Sequence, residues 1–282
     1  MARVRGSAPR EEGAGMVVTA NTAAGTVGGG HLEQKAIELA REWLRLRKST
    51  ATSRHYPLGP ALGQCCGGAV DLLFRPVNES ERPWVETLAH AERAGGDIDL
   101  RTRLDGTSPA VVTRHRFRPW HVWVFGAGHV GRALAQVFGV LPCRFTWVDS
   151  RDHEFPRVVA DNVTVLQSDH PQDEVDAILP GADVLVLTHS HALDLEIVRA
   201  LMLRDDLHYI GMIGSATKSA LFRRRLADRG VAQERIEMLH CPIGKAGKNH
   251  DKHPGAIAVA VAADLVCQRP ATIADVVNGL QQ

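Results

Sequence analysis

The chain is predicted to be an α/β protein in two parts: a carboxyl-terminal parallel sheet covered by helices, and a smaller amino-terminal α+β part. Three observations carry this. From residue 121 onward, short apolar runs alternate with helical periods, the pattern of a parallel sheet buried on both faces. The first of those runs ends in a glycine turn that opens a helix, Gly126-Ala127-Gly128-His129-Val130-Gly131. Before residue 117, strand and helix signals are mixed without that alternation. The boundary falls at Arg118-Pro119, which gives parts of 1–118 and 119–282.

In the amino-terminal part, Met16-Val17-Val18-Thr19 is a strand and Gly28-Gly29-Gly30 a turn. The spacing predicts a helix from His31 to about Lys48, with Ile37, Ala40 and Leu44 on its apolar side. Ala69–Phe74 has strand composition and is closed by Pro76. A helix from about Glu81 to Arg93 and strands near 97–104 and 110–117 complete this part. In the second part, strands fall near 121–126, 144–149, 163–167, 183–188 and 208–213. Helices begin near His129, Asp173, Ala192 and Ser215, and a last one runs from about Pro254 to Cys267.

Composition narrows the function classes. The 282 residues leave room for two cores. With 33 basic against 32 acidic residues, no charge excess points to nucleic acid or a membrane surface. No apolar run is long enough to span a bilayer, and Met1–Gly6 lacks the apolar core of a signal peptide. Five cysteines without framework spacing fit a reducing cytoplasm, the expected location.

The glycine turn after residue 125 has its strand before it and its helix after it. Gly126 allows the tight turn, Gly128 lets a phosphate approach backbone, and Gly131 lets helix and strand pack closely. Asp149 ends the next strand, at the distance where a carboxylate would accept from ribose hydroxyls. Together these form the dinucleotide-binding (Rossmann) fingerprint, and NAD is one candidate ligand. A second turn, Gly211-Met212-Ile213-Gly214, leads into Ser215-Ala216-Thr217-Lys218. Here Gly214, Ser215 and Lys218 could hold a phosphate, or Ser215 could simply cap a helix with a solvated basic face. Thr188-His189-Ser190-His191 also ends a strand, and Asp194 could orient one of its histidines.

Gly63-Gln64-Cys65-Cys66-Gly67-Gly68 places two thiols in a glycine frame. Thiolates suit soft metals and sulfur chemistry, and the glycines leave room for something larger than water. A buried cysteine pair in a tight turn is the alternative. Cys241, in Cys241-Pro242-Ile243-Gly244, falls at the ligand end of the sheet, whereas Cys143 and Cys267 have core contexts.

These blocks, in order, resemble the XdhC/CoxI family of xanthine dehydrogenase accessory proteins. The matching segments are Arg5–Arg10, Gly25–Glu33, Gly63–Gly68, Phe125–Gly131, Thr188–Leu193, Ile210–Lys218 and Cys241–Gly244. The resemblance implies a smaller XdhC/CoxI-type amino-terminal domain beside the Rossmann-like one. It also implies a molybdenum-cofactor chaperone rather than an enzyme, with no catalytic residue of its own. Such a protein binds the molybdopterin form of the cofactor and protects it while a cysteine desulfurase supplies the terminal sulfur. It then delivers the cofactor to xanthine dehydrogenase, the step that links it to purine catabolism. Its partners would be those two enzymes and a second copy of itself, with no nucleic acid and no membrane. Cys65 and Cys66 would approach the molybdenum, with Gly67 and Gly68 beside them. The phosphate would lie at Gly128-His129 or at Gly214-Ser215.

Two departures from the family pattern stand out. Most of the helix and strand that usually precede the Arg5–Arg10 block is missing, which implies either a thinner first core or a misassigned start codon. The segment after Gly244 runs Lys248-Asn249-His250-Asp251-Lys252-His253 instead of a glycine-rich turn. Two other function classes remain open at this point. One is an NAD(P)-dependent oxidoreductase with His189 or His191 as acid and base. The other is a metal-binding or redox-sensing protein that uses Cys65 and Cys66.

Overall fold

The computed structural model describes residues 1–59, 67–104, 111–117, 119–244 and 251–269. The chain forms two compact units, one spanning Met1–Arg118 and the other Pro119–Pro270.

The second unit is built on a six-stranded sheet. Its strands are β8 (Trp120–Phe125), β9 (Cys143–Asp149), β10 (Val163–Gln167), β11 (Asp183–Val186), β12 (Tyr209–Met212) and β13 (Leu239–His240). Their spatial order is β10-β9-β8-β11-β12-β13, and every neighbouring pair is parallel. This is the doubly wound order, which reverses direction between β8 and β11. Alternation within each strand feeds the two faces. Val122, Val124 and Trp147 pack with Leu134 and Phe138 of α3 (His129–Phe138) and with Val261 and Leu265 of α7 (Pro254–Gln268). Trp123, Phe125 and Val148 face the other way, with Ile197 of α4 (His191–Met202), Phe222 of α5 (Ala216–Asp228) and Ile236 of α6 (Gln233–Glu237). Because both faces are covered, β8 reads as an almost unbroken apolar run.

Among the described residues, the first unit has three small sheets. One is antiparallel, in the order β1-β5-β4, from β1 (Arg3–Arg5), β4 (Thr52–Pro57) and β5 (Ala69–Phe74). The others are hairpins of β2 (Met16–Val18) with β3 (Ala23–Gly25), and of β6 (Gly96–Thr102) with β7 (Val111–Phe117). The helices are α1 (Gly30–Arg45) and α2 (Arg82–Ala94). Leu32, Ala36, Leu58, Val70 and Leu72 form the core of this unit.

Several sequence expectations are corrected here. The buried face of α1 is Leu32, Ala36 and Trp43, not Ile37, Ala40 and Leu44; Leu44 is 47% exposed. Trp43 anchors that face by packing against Phe74 of β5, with ring centroids 5.3 Å apart. The expected helix near Asp173 is a short 3-10 helix, Pro171–Ala177, that continues no further. Cys267 is exposed rather than core, since it stands on the outer side of α7. Cys143 is buried, and that burial pushes its thiol up to about 11. No helix among the described residues is long and apolar enough to cross a membrane.

Candidate functional site

The carboxyl ends of β8, β9, β11 and β12 carry four of the sequence-predicted segments. Gly126 adopts φ 124°, and a Cβ there would stand 2.3 Å from the Leu187 carbonyl oxygen at the end of β11. A Cβ on Gly131 would meet the Gly126 carbonyl at 2.1 Å, where the Trp147 indole already donates to that oxygen at 2.9 Å. These two glycines are therefore required by the chain's own packing. Gly128 differs, because nothing lies within 4 Å of where its Cβ would be. It is also the N-cap of α3 and gives that helix no side-chain hydrogen bond.

The other two helix starts at this end cap themselves. Ser190 accepts from the Leu193 amide at the head of α4, and Ser215 accepts from the Lys218 amide at the head of α5. A helix start with uncommitted amides attracts an anion more strongly than one whose donors are used. Of the two phosphate positions that the sequence left open, Gly128-His129 has the better geometry.

Asp149 sits at the end of β9 and is only 3% exposed. One carboxylate oxygen accepts from the Arg151 amide (2.9 Å) and the Arg151 Nε (3.0 Å). The other accepts from the Ala127 amide (2.6 Å) and the Arg151 Nη2 (2.9 Å). A carboxylate offers about four acceptor positions, so all are filled from within the chain. Arg151 also reaches Glu154 at 3.2 Å, and Glu154 in turn pairs with Arg132 of α3. The network carries two cations and two carboxylates.

Burial alone would raise the Asp149 pKa, but the Arg151 hydrogen bonds and the Ala127 amide outweigh it, and the net direction is down. A depressed folded pKa contributes stability that is complete above the unfolded value and lost as pH falls through the folded one. The ordinary value is 3.8, so the loss belongs to the acid side below that. Urea midpoints measured at pH 7 and near pH 3 should therefore differ less in Asp149→Asn than in the wild type. Equal pH dependence in both proteins would show that Asp149 contributes nothing there.

At the ends of β11 and β12, Asp194 is completely buried. It does not orient His189 or His191, as the sequence suggested; both histidines are exposed. Instead one Asp194 oxygen accepts from the Thr188 amide (2.9 Å) and hydroxyl (2.7 Å), and the other from Lys218 Nζ (2.7 Å). Lys218 also donates to the Ile213 carbonyl at 3.1 Å and is 12% exposed. Its ammonium thus has two of its three protons committed, and it ties the Thr188–Leu193 segment to the Ile210–Lys218 segment. Cys241 completes the cluster, its sulfur 3.2 Å from where a Gly214 Cβ would be. Sequence separation gave no signal for this pairing.

In the first unit, three further segments meet. A Cβ on Gly68 would lie 2.1 Å from the Ser7 carbonyl and 2.6 Å from that of Arg5. The positive-φ Gly28 would likewise place a Cβ 2.3 Å from Cγ of Pro9. Glu33 closes the glycine loop by accepting from Val27 and Gly29 amides at 3.1 and 3.2 Å and from the Thr26 hydroxyl. The Thr26 hydroxyl, helped by those amides, holds the Glu33 carboxyl below its usual range. Gly68 is thus needed for backbone contact, while Gly67 faces open space. Cys65 and Cys66 lie outside the described residues. The chain on either side of them is held by the β4–β5 pairing and by the Leu58 amide donating to the Gly68 carbonyl at 2.8 Å. Among the described residues, no group of three His, Cys, Asp or Glu side chains could hold a metal ion.

A doubly wound parallel sheet with a glycine turn at its switch point, joined to a small α+β unit, defines a two-domain protein of the Rossmann class. Residues 122–265 match the XdhC Rossmann domain, and residues 1–56 match the XdhC and CoxI family. The chain belongs to the XdhC/CoxI family. The uncharacterized protein YqeB of Escherichia coli strain K12 is 27% identical over 266 residues, covering 93% of this chain and 41% of that protein. The chain therefore spans about two fifths of the length of that relative. A crystal structure from Bacillus halodurans, described as a xanthine dehydrogenase, superposes with a TM-score of 0.75 at 21% identity. It covers 94% of this chain and 89% of the other, a likeness of fold.

Proposed function

We propose that this protein is a maturation factor for xanthine dehydrogenase that carries the molybdenum cofactor, in its molybdopterin form, as cargo. It holds the cargo while a cysteine desulfurase supplies the terminal sulfur, then hands it to the dehydrogenase, and it works as a homodimer. The observation that carries the reading is the family match in both units, taken together with the uncapped, open start of α3 at Gly128. That helix start suits the cargo's phosphate, with Gly126 and Gly131 shaping the turn and the amides of the first helical turn as donors. Cys65 and Cys66 supply the soft donors a sulfur-ligated molybdenum accepts. Gly214, Ser215 and Lys218 serve in this reading to support the sheet end, since Ser215 and Lys218 already have partners. NAD is a poorer ligand for the same turn, because every acceptor position of Asp149 is filled.

The test is cargo retention. Protein purified from a host that makes the cofactor should carry molybdenum and its pterin. The double variant Cys65→Ala, Cys66→Ala should lose both to background while keeping the wild-type circular dichroism spectrum. Unchanged molybdenum content in the folded double variant would end the proposal for these two residues.

A further inference from the structure

The sheet of the second unit has two edges, and they differ. At one edge β13 is only Leu239–His240, and the chain leaves it through Cys241-Pro242. So short a strand, followed by proline, offers little to pair with. At the other edge β10 runs five residues, Val163–Gln167, with β9 beside it and no further strand among the described residues. It carries neither a charged residue nor a proline, the usual guards of an edge strand. Two hydrogen bonds fix which of its backbone groups face outward. The Asn162 carbonyl accepts from the Phe145 amide (2.9 Å), and the Ser168 amide donates to the Asp149 carbonyl (3.1 Å). Residues bonded to a parallel neighbour alternate along the strand, so Thr164 and Leu166 also face β9. Val163, Val165 and Gln167 therefore point their backbone groups away from it. The Val163 amide is used, donating to the Ala160 carbonyl at 2.9 Å. Among the described residues, no hydrogen bond takes up the outward groups of Val165 or Gln167.

We propose that β10 pairs antiparallel with β10 of a second copy of this chain, about a twofold axis at Leu166. The inference rests on the homodimer reading above and names its surface. Centring on Leu166 sets Val165 opposite Gln167 of the partner subunit, so the free amides and carbonyls of both residues find each other. Centring on Val165 or on Thr164 would instead call on the Val163 amide, which is already committed. The Val165 centre would also bring Asp161 toward Asp169 of the partner subunit, two like charges on opposed positions. Val165 and Leu166 are half-buried and pack on the two opposite cores of the sheet, so a strand laid along this edge covers both. The same patch serves both copies, and β13 cannot extend the array, so the assembly closes at two.

Sedimentation equilibrium on the full chain tests the pairing. Val165→Pro removes one outward amide and sets a ring on the free edge, a position where a lone sheet tolerates proline. It should raise the dimer Kd by about tenfold or more while the circular dichroism spectrum stays that of the wild type. Leu166→Cys reads the register without depending on that variant. It places a thiol opposite its own copy at cross-strand disulfide distance, so mild oxidation should give a reducible band at twice the chain mass that the wild type lacks. A wild-type dimer that persists unchanged in Val165→Pro, or that gives no such band in Leu166→Cys, overturns the edge pairing and leaves the homodimer reading standing. A wild type that stays monomeric at every concentration overturns both.

Discussion

Replacing Lys218 by methionine is expected to lower the unfolding free energy by about 3–5 kcal/mol, the cost of leaving one partner of a buried ion pair alone. Methionine keeps most of the alkyl volume, so the loss isolates the charge. Asp194 has no exposed surface, and its carboxylate would face only the two Thr188 donors. The decisive control is the double variant Asp194→Leu, Lys218→Met. It removes both charges and should recover much of the stability, though not all, because the Thr188 amide then lacks an acceptor. Urea midpoints compared at equal m-values read the effect. If the single and double variants lose equally, volume rather than charge holds this end of the sheet. The pair joins the segments that follow β11 and β12, two adjacent strands. Its loss therefore loosens the side of the sheet where α/β proteins bind ligands.

The wild-type protein is expected to show no saturable binding of NADH, and Arg151→Ala is expected to create it. Removing the guanidinium leaves the Arg151 and Ala127 amides on Asp149 but vacates one acceptor position on each oxygen. Two adjacent acceptors are what a ribose diol requires. One well-made bond to a charged acceptor would tighten binding by about tenfold or more. Fluorescence titration, with Trp147 and Trp123 as energy donors, measures it. Adding Asp149→Asn to Arg151→Ala should abolish the gain. Saturable NADH binding by the wild type would mean that Arg151 yields its place to the ligand, and the dinucleotide reading would then return.

Much of the second unit was legible in the sequence because its information is local. A strand buried on both faces needs an unbroken apolar run, as in Val122–Phe125, and a phosphate-type turn needs glycines where backbone approaches backbone. The first unit was harder. β1 is three residues long, and β4, Thr-Ser-Arg-His-Tyr-Pro, has no clean alternation. Its register comes from β5 between them. The α1 face was misplaced because several apolar spacings fit the same helix, and only the contact of Trp43 with Phe74 selects one.

The sequence by itself determined the parallel sheet, its glycine turn, the two-part organisation of the fold and the resemblance to one family. Those features rest on residue type and short-range period, which do not depend on where other strands lie. Tertiary structure alone decided how the candidate residues are occupied. Asp149 stands at the expected spacing, yet the folded chain fills its carboxylate with Arg151 and Ala127. Lys218 stands at a helix start, yet the strand order brings Asp194 to its ammonium from 24 residues away. Gly68 stands beside the double cysteine, yet the carbonyls of Arg5 and Ser7 are what require it. A residue's neighbours across a sheet follow from strand order and register, and no spacing along the chain encodes them.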